Sequence, residues 1–352
     1  MIINSEEKYD HSIAFLKVLL SFCVVCCHFW LPGNLSFYPV AALDRLRGVA
    51  APMFFIVSFF LASRFFAKTD CMSLVKRLKR LYSPYFFWPV VYFLVYIFAL
   101  FVIKASDADS YIIFPLRRAD IVMQLTMGSN KDLCPQLWFQ FAIIVVTLVS
   151  WIVFKTTGKY APYVMTTLAA AGLWLQYSEI NYHLFSRCSY EYCYPLGRLA
   201  EVFPYAVIGI LLYKSGSIGR LKRYRLPVMA LCFAVMLFIS YRGFLPSPAA
   251  GFSYSGLNKL LYATLAFIAF NTLPVDRAPE KLKRAIRFLA RYTLGVYCIH
   301  YGIGYCWDNI ICVRYGLRAD TMIQCIVIYA VSILLSWLIS LIPIRLAKMV
   351  VE

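Results

Sequence analysis

Apolar residues gather along this chain into ten runs, separated by short polar stretches. The runs cover residues 12–31, 48–66, 84–104, 136–154, 160–177, 195–213, 226–242, 254–273, 293–312 and 320–342. Several reach or approach the ~20 residues that carry a helix across a hydrocarbon core. The pattern predicts an all-α polytopic membrane protein of about ten transmembrane helices. No linker-rich segment, low-complexity tract or internal repeat interrupts it, so residues 1–352 read as a single integral-membrane domain. Any chemistry must then occur within the bundle or at its mouths.

Composition agrees with the pattern. The chain is 62% hydrophobic, against roughly 45–50% for a soluble domain. The first run carries a lysine in its middle and no small-residue cleavage site after it, so it reads as a retained helix, not a signal peptide. The net charge of +18 would suit a nucleic-acid partner if it were clustered on one soluble face. Instead it alternates from loop to loop. Clusters such as Lys76-Arg77-Leu-Lys79-Arg80, Lys222-Arg223-Tyr-Arg225 and Lys281-Leu-Lys283-Arg284 fall on one side. That side carries roughly twice the Lys and Arg of the other, and basic loops stay cytoplasmic. Both termini are therefore expected in the cytoplasm, with the bilayer rather than nucleic acid as partner. Two long loops, around Tyr111–Leu125 and Lys281–Arg291, have apolar and polar positions at helical spacing and read as surface-lying segments.

Polar residues inside the apolar runs are the candidates for chemistry. Lys17 and His28 lie eleven residues apart in the first run. That is close to three helical turns, so they share a face roughly 16 Å apart along the axis. A cation near a bilayer centre costs on the order of 3 kcal/mol, so two ionisable groups on one stripe point to an internal cavity. A neutral imidazole there can accept a hydroxyl proton. Arg77 and Arg80, one turn apart, can bind phosphate oxygens by bidentate contacts, or simply fix orientation. Arg198 and Glu201 are spaced to pair on one face. Tyr297 and His300 are likewise one turn apart, and read either as a positioned histidine or as a polar seam. Lys259, with Asn258, enters the eighth run.

Cys23, Cys26, Cys27 and His28 imitate a metal cluster, but no second ligand cluster is visible, and cysteine is a common small buried residue. No metal site is expected. Most of the 12 cysteines lie in apolar runs. Cys188 and Cys193 share a predicted outer loop and are candidates for a disulfide in an oxidising compartment. Gly-x-Ser-x-Gly, P-loop and His-Glu-x-x-His signatures are absent.

Taken in order, these segments resemble the membrane acyltransferase-3 family, which includes O-acetyltransferases of bacterial surface polysaccharides. Lys17 and His28 are similar to the family's opening basic residue, ten residues, then histidine. Met53-Phe-Phe-Ile-Val-Ser58-Phe-Phe-Leu resembles its Phe-Phe-x-x-Ser-Gly-Phe-Leu segment. Arg77-Leu-Lys-Arg80 followed by Pro84-Tyr85 looks like its Arg-x-x-Arg motif and following Pro-Tyr. Gln136-Leu-Trp138-Phe139 and Gly295-Val-Tyr297-Cys-Ile-His300 look like its His-Leu-Trp-Phe and Gly-x-Tyr-x-x-His segments. Lysine at 17 departs from the usual arginine and keeps charge without the bidentate fork. Phe59 and Gln136 depart from the usual glycine and histidine.

The resemblance implies a multi-pass protein of the cell's inner (cytoplasmic) membrane that transfers an acyl group, acetyl by the family's pattern, from cytoplasmic acyl-CoA to a hydroxyl of a surface or lipid-linked carbohydrate. Acyl-CoA is a co-substrate, and no cofactor is implied. His28 would be the general base and Lys17 a stabiliser of developing charge. Arg77 and Arg80 would hold the donor's phosphates. Trp138, Arg198, Glu201, Tyr297 and His300 would line the cavity on the acceptor side. The competing readings are a transporter or flippase of lipid-linked saccharide and an inactive partner of a glycan pathway.

Overall fold

The computed structural model describes residues 9–30, 44–66, 70–98, 134–177, 190–242, 256–312, 315–316 and 321–352. Among them 91% are helical, and no strand occurs. Each of the ten apolar runs overlaps a helix among the described residues. The longer helices are α1 (His11–Phe29), α2 (Ala50–Phe66), α3 (Cys71–Phe98), α4 (Trp138–Thr157), α5 (Ala161–Tyr177) and α6 (Tyr190–Lys214). A short α7 (Ser217–Leu221) precedes α8 (Arg225–Arg242) and α9 (Leu257–Thr272). Then come α10 (Glu280–Arg291), α11 (Thr293–Cys306) with a π-helical turn over Trp307–Cys312, α12 (Met322–Ser340) and a short α13 (Arg345–Met349). The predicted Tyr111–Leu125 segment and Cys188, half of the predicted disulfide, lie outside the described residues.

Among the described residues, three helical stretches are both long and apolar enough to cross a membrane: His11–Phe29, Trp138–Tyr177 and Met322–Ser340. Ala50–Phe66 is apolar but shorter. The lateral surface supports a lipid environment. On α3 the exposed residues Phe86, Val90, Leu94 and Phe98 recur every four positions and form one outward apolar stripe. On α12 the pattern is inside out for a water-soluble protein: Ser332, Ser336 and Ser340 are buried while Leu334, Leu335 and Leu338 face outward. Hydrocarbon rewards that arrangement, because small hydroxyl residues let helices approach and apolar residues cost nothing in lipid.

Helix α1 is the hub and packs against α2, α9, α10, α11 and α12. Asp10 caps its start, accepting from the backbone N–H of Ser12 and Ile13 at 2.9 and 3.1 Å. Its other carboxylate oxygen pairs with Lys222 at 2.9 Å. The first turns of α3 differ from expectation. The basic Lys76–Arg80 segment is not a loop ahead of the third span but part of the same helix. Lysine and arginine are good helix formers, and Asp70 starts the helix by accepting from the backbone N–H groups of Met72 and Ser73 and from the Ser73 hydroxyl. Those contacts, the Ser73 hydroxyl first, hold the Asp70 carboxyl below its usual pKa. Pro84 removes a backbone donor from the next turn. There Gln140 of α4 donates to the Leu81 carbonyl at 3.0 Å, so a polar side chain serves the backbone beside the proline.

Candidate active site

Among the described residues, two neighbouring cavities open between the helices. The larger, about 450 Å³, is lined by Lys17, Arg64, Arg77, Arg80 and Tyr297 among others, with Glu352 at its edge. Its floor is fixed by backbone contacts. Lys17 donates to the Ala290 carbonyl at 3.3 Å, a carbonyl in the last turn of α10, where the helix dipole favours a cation. The segment after α13 is pinned beside the cavity, and its Glu352 lines it. The Trp88 indole donates to the Val350 carbonyl at 3.0 Å, and the Gly295 N–H donates to the Val351 carbonyl at 3.0 Å. Arg80 donates to the Glu352 carbonyl at 3.1 Å, while the Glu352 carboxylate pairs with Arg291 at 2.6 Å. Arg77 is half-buried, and its Nε has no hydrogen-bond partner among the described residues. Burial, and after it the charge of Arg80, pushes the Arg77 pKa down to about 10. It stays protonated at neutral pH, so the cavity holds concentrated positive charge that an anion would relieve.

The smaller cavity, about 30 Å³, is lined by His28, Gln136, Trp138 and Tyr297 together with Phe54 and Phe139. It has room for about one water molecule. His28 stands in the last turn of α1 and keeps solvent-accessible surface. Arg47 secures that end of the helix. Its guanidinium donates to the carbonyls of Cys26, at 3.1 Å, and Trp30, and pairs with Asp44 at 2.8 Å. Orphan carbonyls at a helix C-terminus are satisfied in this way by a basic side chain. Cys23 and Cys26 are buried, and the Cys27 thiol donates to the Arg47 carbonyl at 3.0 Å.

The expectation that Lys17 and His28 share one pocket is corrected. Lys17 belongs with Arg77 and Arg80 in the larger cavity, and His28 belongs to the smaller one. Phe54, Phe139 and Tyr297 line both, so the two spaces abut across these three rings. The physical reason is axial distance: three turns on one face put two side chains at different depths. Phe139 packs its ring 5.3 Å from that of Tyr297. The Tyr297 hydroxyl donates to the Gln136 carbonyl, which fixes the partition from the α11 side. The His300 Nδ1 meets the Val296 carbonyl at 2.9 Å, and the His300 ring lies 6.2 Å from that of Tyr297.

The other expected residues collect beside the smaller cavity. Arg198 and Glu201 form the predicted pair at 2.6 Å and are nearly inaccessible. The Arg198 guanidinium lies 5.2 Å over the Trp138 ring. His300 lies 5.2 Å, ring centre to ring centre, from His28. Lys259 begins α9. Sequence reasoning missed the seam that ties these helices together. The Tyr92 hydroxyl donates to the Cys298 carbonyl at 2.6 Å and accepts from the Gln136 amide at 3.0 Å and from the Gly302 N–H at 2.9 Å. Gln136, one of the departures from the family pattern, therefore locks α3 to α11. It also missed Glu352 and the aromatic partition.

The order of these motifs along one helical bundle has its counterpart in known sequences. A family model described as an acyltransferase domain matches residues 10–341. The chain belongs to the acyltransferase-3 family. The match takes in α1 to α12 and every lining residue of the two cavities except Glu352. No curated protein and no solved structure matches the chain. Membership makes this acyltransferase-3 protein an acyltransferase by family, and its outward-facing apolar helices make it a membrane protein.

Proposed function

We propose that this acyltransferase-3 protein moves an acyl group, acetyl in the simplest case, from acyl-CoA to a hydroxyl of a cell-surface or lipid-linked carbohydrate, in the inner membrane. The observation that carries the reading is the pair of abutting cavities. One is cationic, sized for the anionic part of a donor; the other presents an accessible imidazole. In this arrangement ten helices cross the bilayer, both ends of the chain lie in the cytoplasm, and the Lys17–Arg77–Arg80 cavity opens there. The donor's phosphates pair with Arg77 and Arg80. Its slender thioester arm passes the Phe54–Phe139–Tyr297 partition as those side chains turn aside, and the charged nucleotide stays behind. His28 takes the proton of the sugar hydroxyl as the oxygen attacks the thioester carbon. The C–S bond breaks and the thiolate recovers that proton from His28. Lys17, being in the donor cavity, serves the donor and holds α10; the developing oxyanion is left to donors beside His28.

The test uses membrane vesicles from cells expressing the full chain, supplied with radiolabelled acetyl-CoA. Label should enter an alkali-labile ester, with stoichiometric release of free thiol. Arg77→Gln and Arg80→Gln should each raise the KM for acetyl-CoA roughly tenfold, about 1.4 kcal/mol, with kcat little changed. Unchanged KM in both variants would remove the donor from this cavity. Two chambers separated by a thin partition also suit a carrier of lipid-linked saccharide. A carrier would change the sidedness of the glycan without thiol release or a mass step.

A further inference from the structure

His300 is wholly buried, yet its chemistry is unfinished. A carbonyl can only accept, so the 2.9 Å contact with Val296 assigns the ring hydrogen to Nδ1. In the neutral ring Nε2 then carries the lone pair. That atom is buried without a hydrogen-bond partner among the described residues. A buried acceptor left open in a native fold calls for an explanation. Beside it stands His28, 5.2 Å away between ring centres and tilted by 44°. The rings of Phe29 and Tyr297 each lie 6.2 Å from the His300 ring and enclose it. The backbone holding His300 is tightly placed. Gly304, one turn further along α11, lies so close to the Phe29 ring of α1 that a Cβ has no room.

We propose that His300 is the positioning residue of His28: its Nε2 accepts the hydrogen of one His28 ring nitrogen, through one water or once the His28 ring turns toward it, and leaves the other nitrogen bare toward the acceptor. The inference rests on the reading of His28 as the base. A neutral imidazole has two tautomers, and only one presents a lone pair to a given hydroxyl; the partner of the other nitrogen selects it. The proton balance is simple. The hydroxyl proton goes to the bare nitrogen of His28 as the ester C–O bond forms. The existing N–H remains on His28, bonded to His300, and steadies the imidazolium. The departing thiolate takes the transferred proton, which returns both rings to their starting state.

The vesicle assay with radiolabelled acetyl-CoA tests this through two polar variants. In His300→Gln the amide oxygen reaches the place of Nε2. In His300→Asn the amide reaches only the place of Nδ1 and offers nothing to His28. His300→Asn should lose roughly a hundredfold in kcat with the KM for acetyl-CoA within twofold of the parent. His300→Gln should recover at least tenfold of that loss. Equal rates in the two variants, fast or slow, or a faster Asn variant, overturn the proposal. A His28→Ala protein run alongside separates the two readings. If it is inactive while His300→Asn is fast, only the role of His300 falls; if it is active, the base itself is wrong.

Discussion

A His28→Ala protein folds, inserts and binds donor, and transfers acyl groups about 10²- to 10⁴-fold more slowly than the parent. The expectation of intact folding comes from the position of the ring. His28 keeps accessible surface and lines a small cavity, so truncation enlarges an existing space rather than opening one in packed core. The end of α1 is held by the Arg47 guanidinium on the carbonyls of Cys26 and Trp30, not by the imidazole. The loss should appear in kcat, since the proposed donor contacts belong to the other cavity. Vesicles carrying the variant at equal protein level, assayed for ester label, give the answer. Turnover within threefold of the parent would exclude His28 as the base.

The second large effect concerns stability. Gly209→Ala should destabilise the protein by about 3 kcal/mol, at the upper end for overpacking, and lower its melting temperature in detergent by several degrees. At Gly209 an added Cβ collides with the Ile56 carbonyl oxygen and lies 2.9 Å from the Phe60 nitrogen, both on α2. Backbone cannot step aside as a side chain can, so α2 and α6 must separate. Gly219→Ala is the internal contrast, because nothing lies within 4 Å of its added Cβ. Thermal unfolding of the two purified variants, followed by size-exclusion chromatography, should show Gly209→Ala alone shifted. Equal melting would mean that α2 and α6 can separate at this point without cost.

The helices were legible in the sequence because hydrocarbon imposes a simple rule: a segment that crosses must be apolar for its whole length and bond its own backbone. That rule located every segment from α1 to α12 that came from an apolar run, but it was silent about α3 extending back to Cys71. The helix continues there on propensity and the Asp70 cap, which are not apolar signals. Arg198 and Glu201 were legible because both partners lie on one helix, where spacing decides contact. The cavities were not. Periodicity puts Lys17 and His28 on one face of α1, but it does not say which helix meets that face at each depth. Lys17 meets α10 at Ala290, and His28 meets α11 at His300. These neighbours are more than 270 residues away in the chain, and no local pattern encodes them. Tyr92 bonded to Cys298 and Arg80 bonded to Glu352 were hidden for the same reason.

The partition of Phe54, Phe139 and Tyr297 carries a consequence for the cell's energy supply. On the proposed topology, a machine whose two reactants arrive from opposite sides is one step from being an ion leak. Each elementary charge that falls through 100 mV dissipates about 2.3 kcal/mol. Apolar constrictions block hydrated ions by excluding water while admitting a thin, uncharged chain. The three rings would thus act as an electrical gasket, and shaving them should depolarise the host before it slows catalysis.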